Sequence, residues 1–190
     1  MPGEPAARTT RDEYFALDLA DERKLEYYDG ALVRMAGASP RHNQIAKNVL
    51  VQLDVRLAQR VCFVAGSDQR VRLSEAGPWV YLDVVASCSP RFEPPRPLSL
   101  VTPELVVEVL SRSTEAHDLS AKLAHYRACD AIQEIVFVRT GERLIEHHRR
   151  VEPARWLVSL VRDGAVPLAG ESITLDAIYA GAAELPDEEG

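Results

Sequence analysis

Two carboxylates lie inside runs that ought to be buried. Asp83 interrupts Val80-Tyr81-Leu82-Asp83-Val84-Val85-Ala86, and Glu108 interrupts Leu105-Val106-Val107-Glu108-Val109-Leu110. Short runs rich in β-branched residues and bounded by Pro, Ser and Gly predict buried strands. An unpaired ionised carboxylate there costs several kcal/mol, so each one is protonated, paired with a cation or bound to a metal. The same anomaly on two strands points to a cation shared between them. Lys122, on a predicted helix just downstream, is placed to join them.

At 190 residues and 46% hydrophobic content, the chain can bury a sizeable core. One domain over residues 10–180 is expected, between a frayed N-terminus (1–9) and an acidic tail (181–190), with Leu185–Gly190 frayed as well. No apolar stretch approaches the roughly 20 residues of a membrane span, and Met1–Thr10 has no apolar h-region of a secretory signal. The three cysteines, Cys62, Cys88 and Cys129, lack C-x-x-C spacing, which argues against a disulfide framework and a zinc ribbon. They read as buried thiols in a soluble protein of the reducing cytoplasm. The net charge of -7 works against generic phosphate binding, so any contact with nucleic acid must be local or metal-mediated.

Along the chain, Thr10 and Glu13 form a capping signal for a short helix to Leu19. Lys24–Tyr28 and Ala31–Met35 then flank the turn Asp29-Gly30 as a hairpin carrying Glu26. Ser39-Pro40 opens a helix to about Gln59, whose inward stripe is Ile45, Val49, Leu53 and Leu57. His42, in its first turn, is either a solvated residue at a helix start or a site residue. Val61–Val64, Gln69–Leu73 and the Asp83 run predict three adjacent strands, and Ser89–Pro103, with five prolines, reads as a loop.

A helix from Asp118 carries Leu119, Leu123 and Tyr126 as its apolar stripe. Lys122 lies beside that stripe, with an i,i+4 pair to Asp118 as the alternative. Ile132–Val138 and Arg143–Arg149 predict a hairpin around Thr140-Gly141, either a solvated edge or a phosphate-binding surface. Its His147 and His148 face opposite sides. Short strands over Trp156–Val161, Ala165–Leu168 and Ser172–Leu175 precede a terminal helical turn.

A strand Asp, a Glu on a second strand and a Lys form the constellation of a metal-dependent phosphodiesterase, in which carboxylates hold a hard cation and the Lys stabilises charge on the phosphate. Several segments carry a family resemblance: Leu25-Glu26-Tyr27-Tyr28-Asp29-Gly30, Ser39-Pro40-x-His42, Tyr81-Leu82-Asp83-Val84-Val85, Pro103 through Thr114, and Asp118-x-x-x-Lys122-x-x-x-Tyr126. In these the chain resembles the Uma family of putative restriction endonucleases, similar to the PD-(D/E)XK nuclease superfamily.

The resemblance implies an α/β, restriction-endonuclease-like fold: a central mixed β-sheet flanked by α-helices, with extra β-hairpins. It implies Asp83 and Glu108 as ligands of Mg²⁺ or Mn²⁺, and Lys122 as a catalytic lysine displaced onto the helix, because Leu110 stands two residues after Glu108 where the superfamily has its lysine. Leu82 replaces the superfamily's proline. Glu26 and His42 match as further catalytic residues, Glu26 either joining the metal site or anchoring Lys122. DNA is the implied substrate, with no membrane partner and with room for a homodimer. The alternative function is a nuclease-shaped chain that no longer cleaves and acts as a binding or assembly module. A third reading pairs Asp83 and Glu108 with Arg or His in a purely structural network.

Overall fold

The computed structural model describes residues 8–20, 24–35, 37–111 and 115–187, and of 115–121 the backbone alone. The first helix, α1 (Arg11–Ala20), starts in a reciprocal cap: Thr10 N–H donates to Glu13 at 2.8 Å, and Glu13 N–H donates to Thr10 Oγ1 at 3.3 Å. Strands β1 (Leu25–Tyr28) and β2 (Ala31–Arg34) follow as the expected hairpin, with Asp29 and Gly30 both at positive φ, as a tight two-residue turn requires. Next, α2 (Pro40–Leu57) is capped by Ser39, whose side chain accepts from His42 N–H. A 3-10 turn, Ala58–Arg60, extends it.

The chain continues through β3 (Phe63–Gly66), β4 (Arg70–Arg72), β5 (Trp79–Tyr81) and β6 (Val84–Ser87). The proline-rich stretch holds two short strands, β7 (Phe92–Glu93) and β8 (Ser99–Leu100), where a loop was expected. After β9 (Leu105–Leu110) and α3 (Glu115–Ala128) come β10 (Glu134–Arg139), β11 (Ile145–Glu152) and β12 (Arg155–Val161). Strands β13 (Ala165–Leu168) and β14 (Glu171–Thr174) and helix α4 (Leu175–Tyr179) complete the order.

These strands form two six-stranded sheets and a separate hairpin, β13-β14. The first sheet runs β2-β1-β5-β4-β8-β7, and the second β12-β11-β10-β9-β6-β3. Both are mixed, since β4 is parallel to β8 and β9 to β10 while the other pairs are antiparallel. The second sheet is the central one. One face is covered by Ile45, Val49, Leu53 and Leu57 of α2 and by Val166, Leu168 and Ile173 of the C-terminal hairpin. Val85, Val106, Ile135 and Phe137 on the other face pack with Val71, Val80 and Leu100 of the first sheet and with Tyr126 of α3.

Several expectations change. The apolar run around Asp83 is two strands of different sheets, so Leu82-Asp83 is the link where the chain passes from one sheet to the other. β3 is consequently not adjacent to β4 and β5; it pairs with β6. The basic hairpin is no solvated edge: β11 is interior, His147 and His148 are buried, and Arg150 stacks on Trp156 at 4.4 Å. Cys62 and Cys88 form a disulfide, because the β3-β6 register sets the residues flanking Phe63 and Ser87 opposite each other. Cys129 alone is the buried free thiol expected of all three. Leu185, Pro186 and Asp187, expected to fray, are pinned to α2 and the β10-β11 link. Residues 1–7 and 188–190, and the Asp118 side chain with its possible pair to Lys122, lie outside what is described.

The first sheet is tied to α1 by a buried ion pair. Arg70 Nη1 donates to Asp18 Oδ2 at 2.9 Å, and its remaining donors reach Ser99 Oγ and the carbonyls of Pro95 and Pro97. Asp18 also accepts from Tyr81 O–H and Leu25 N–H. With both side chains almost wholly enclosed, removing one partner strands the other charge. Arg70→Ala is expected to lower the unfolding free energy in urea by about 3–5 kcal/mol, and a loss below about 1 kcal/mol would show that this network does not hold α1 in place.

Candidate active site

Strand alternation explains where Glu108 points. Leu105, Val107 and Val109 face α2, so Val106, Glu108 and Leu110 face α3 and the first sheet. On α3, Tyr126 lies one turn after Lys122, and both reach the same oxygen: Tyr126 O–H and Lys122 Nζ donate to Glu108 Oε1, the latter at 3.2 Å. Lys122 Nζ also lies 3.5 Å from Glu26 Oε2. Glu26, on β1, is held from two sides, by Tyr28 O–H on Oε2 at 2.9 Å and by Tyr81 N–H on Oε1 at 3.1 Å.

Asp83 enters from the link between the sheets. Its Oδ2 accepts from Val109 N–H at 2.7 Å, which brings the carboxylate alongside Glu108, and lies 3.1 Å from His42 Nε2. A proton on Nε2 makes both contacts hydrogen bonds. The first turn of α2 fixes His42 through the Ser39 cap. All five residues singled out in the sequence therefore meet in one cluster beside the C-terminal half of β9. Asp83 is 11% and Lys122 19% exposed in their side chains, so the cluster is not sealed from solvent.

Among the described residues, three carboxylates share this cluster with the Lys122 ammonium and the His42 imidazole. Burial opposes the charge on Lys122, but Glu108 and Glu26 outweigh it and raise its pKa, so the lysine stays protonated. Glu108 carries the excess. Burial, opposed by Lys122 and reinforced by Asp83 and Glu26, pushes its carboxyl up to about 7. Burial also works against a charged His42, yet the hydrogen bond and charge of Asp83 and the charge of Glu108 raise its pKa.

The cluster offers oxygens to a metal. Asp83 Oδ1 and Glu108 Oε2 accept no hydrogen bond from any described residue. Two carboxylate oxygens next to an excess of negative charge fit a hard divalent cation, which takes one or two protein carboxylates and keeps several waters. Among the described residues no three His, Cys, Asp or Glu side chains group as a full metal cage, a set that zinc would need. Glu26 has both oxygens engaged by protein donors, so of its two readings the geometry favours the anchor of Lys122.

Comparison with known proteins places the chain as a whole. A sequence model described as "Uma2: Putative restriction endonuclease" matches residues 11–179. The chain belongs to the Uma2 family. Two Synechocystis relatives are both named uncharacterized proteins. One, sll1609, is 28% identical over 151 residues, covering 79% of this chain and 85% of its own. The other, slr1290, is 27% identical over 186 residues, covering 96% and 97%. In fold, the Uma2 chain is similar to a crystal structure titled as a putative nuclease belonging to DUF820 from Anabaena variabilis, with a TM-score of 0.66, 14% identity, and 85% of this chain and 93% of that one covered.

Two side chains of this Uma2 site escaped the reading of the sequence. In the sequence, Tyr126 and Tyr28 have places in an apolar stripe, a hairpin and the segments of family resemblance but no role for their hydroxyls, yet both hydroxyls hold carboxylates. The signal for Tyr126 was its spacing of four from Lys122, which sets both on one helix face.

The raised pKa of Glu108 has a measurable sign. A carboxyl that holds its proton more tightly when folded contributes stability that is fully present below its ordinary pKa and is lost as pH rises through the folded value. Metal-free protein is expected to lose on the order of 1–3 kcal/mol between about pH 4.5 and about pH 7 relative to Glu108→Gln. Parallel pH profiles of urea unfolding for the two proteins would contradict it.

Proposed function

We propose that this Uma2 protein hydrolyses DNA phosphodiester bonds as a Mg²⁺- or Mn²⁺-dependent endonuclease. The observation that carries this reading is the convergence of Asp83 and Glu108, each with one oxygen unclaimed by described residues, beside Lys122. Asp83 and Glu108 would hold the cation. When bound, it supplies Lewis acidity toward the phosphodiester and the attacking water, and offsets the negative charge of site and substrate.

The chain's own side chains do the rest. Lys122, kept protonated by Glu108 and Glu26, offers N–H groups to the charge that builds on the phosphate oxygens. His42 and Val109 N–H fix the Asp83 carboxylate in one orientation. Tyr126 does the same for Glu108, and Tyr28 and Tyr81 N–H for Glu26, so the reacting groups need little reorganisation. Leu110, where a superfamily lysine would stand, is buried in the core facing α3.

The net charge of -7 favours a second reading, a chain of this fold that binds or assembles without cleaving. Metal separates the two. On the nuclease reading, plasmid DNA is nicked in Mg²⁺ or Mn²⁺, Asp83→Ala abolishes nicking, and Lys122→Ala lowers its rate by about 10²–10³-fold. Nicking that survives Asp83→Ala would overturn the assignment.

The reading also expects Mg²⁺ or Mn²⁺ to raise the melting temperature of the wild-type protein and not of Glu108→Ala. An equal rise in both proteins, or none in the wild type, would favour the idle scaffold.

A further inference from the structure

Past α4 the chain turns back along α2 toward the turn that holds His42. Arg41, Gln44 and Asn48 lie on one face of α2, and each donates to carbonyls of this returning segment. Asn48 Nδ2 donates to Ile178 and Ala180, both at 2.9 Å, and Gln44 Nε2 to Ala180 at 3.3 Å. Arg41 Nη2, Nε and backbone N–H donate to Ala183 at 3.2 Å, Leu185 at 3.0 Å and Pro186 at 3.1 Å. The guanidinium is thereby fixed by two of its three nitrogens. The third, Nη1, is turned toward Asp187, 3.6 Å from its Oδ2.

Asp187 sits in a seat that the chain builds for an anion. Its Oδ2 accepts from the buried Thr140 hydroxyl at 3.0 Å and faces Arg41 Nη1. Its other oxygen, Oδ1, is buried with no hydrogen-bond partner among the described residues. A planar carboxylate therefore fills the seat with half of its acceptors unsatisfied, which a buried polar group does not do without cost.

The position of the seat gives it a use. Arg41 directly precedes His42, the partner of Asp83. Thr140 N–H donates to Leu110 O at 3.0 Å, at the end of the strand that carries Glu108. The seat and the carboxylate cluster thus share the same end of the central sheet. A cation and a hydroxyl donor converging on one point suit a phosphate oxygen, and a nucleic-acid strand crossing the cluster brings further phosphates on either side of the one under attack.

We propose that Arg41 and Thr140 form a second phosphate-binding seat for the DNA strand, and that Asp187 is an intramolecular stand-in that blocks it until DNA displaces it. This rests on the nuclease reading for the identity of the ligand, while the seat itself rests on geometry alone.

The test uses the full chain without divalent metal, so that no cleavage intervenes. Asp187→Ala is expected to bind inorganic phosphate, followed by ³¹P NMR titration, at least tenfold more tightly than the wild type. A duplex oligonucleotide followed by fluorescence anisotropy should gain similarly, with a salt slope steeper by about one phosphate contact. Thr140→Val in the same background should cancel both gains. Asp187→Asn, which keeps the volume and one acceptor, should move in the same direction and guards against a folding defect.

No gain of phosphate affinity in either Asp187 variant overturns the seat, whatever a cleavage assay shows. A gain that survives Thr140→Val places the anion elsewhere and also overturns it. A gain for inorganic phosphate without one for duplex overturns the assignment to DNA. Failure of the nuclease reading has its own signature, since DNA left intact in Mg²⁺ by a variant that shows both gains would leave the seat standing.

Discussion

Three carboxylates meet around one ammonium group, and the structure does not let them disperse. Glu26 is locked by Tyr28 and the Tyr81 amide, Glu108 by Tyr126, and Asp83 by the Val109 amide and His42. With Lys122 shared between two of them and His42 paired with the third, the charge of the cluster is met by protons on Glu108 and His42 or by a cation. The chain maintains this imbalance through the packing of five elements: β1, α2, the β5-β6 link, β9 and α3. A group of side chains that only stabilised the fold would balance its charges, as Asp18 and Arg70 do in the same molecule.

The two sheets make that arrangement possible. The chain leaves the first sheet after Tyr81 and enters the second at Val84, and the two residues between them are a buried Leu82 and the partly exposed Asp83. A carboxylate at such a crossing can face a helix on one side and a neighbouring strand's amide on the other, which no residue inside a regular ladder can do. Alternation along β9 then turns Glu108 toward the first sheet while the residues on either side of it stay packed against α2. The disulfide from Cys62 to Cys88 ties the outermost strand of the central sheet to the strand that begins next to Asp83.

Much of this was legible in the residues, and the failures have physical reasons. The helix α2 announced itself through Ser39-Pro40 and a four-residue apolar repeat, and the first hairpin through Asp29-Gly30, because both signals are local. Asp83 and Glu108 stood out because burial of charge leaves a mark in sequence. The split of the Asp83 run between two sheets did not, since an unbroken apolar stretch looks the same whether it pairs in one sheet or crosses between two. His147, His148 and Arg150 looked solvated because their partners, Glu134, Glu146 and Trp156, are brought to them by pairing and packing that composition does not display. The disulfide was hidden by the odd cysteine count. The contact of Tyr28 with Glu26 is not legible in the residues, because a pair two apart on a strand reveals nothing of a third partner, here Lys122, arriving at Glu26 from a helix 96 positions later.

The chain belongs to the Uma2 family and shares its fold with a solved chain, and the proposed chemistry depends on a cation seated between two particular carboxylates. Anomalous diffraction from a crystal soaked in Mn²⁺ addresses that point directly. The account expects one strong anomalous peak within coordination distance of Asp83 Oδ1 and Glu108 Oε2, with Glu26 still bound to Lys122. A map with no peak there, or with the manganese held by other residues while Glu108 keeps a proton, would contradict it.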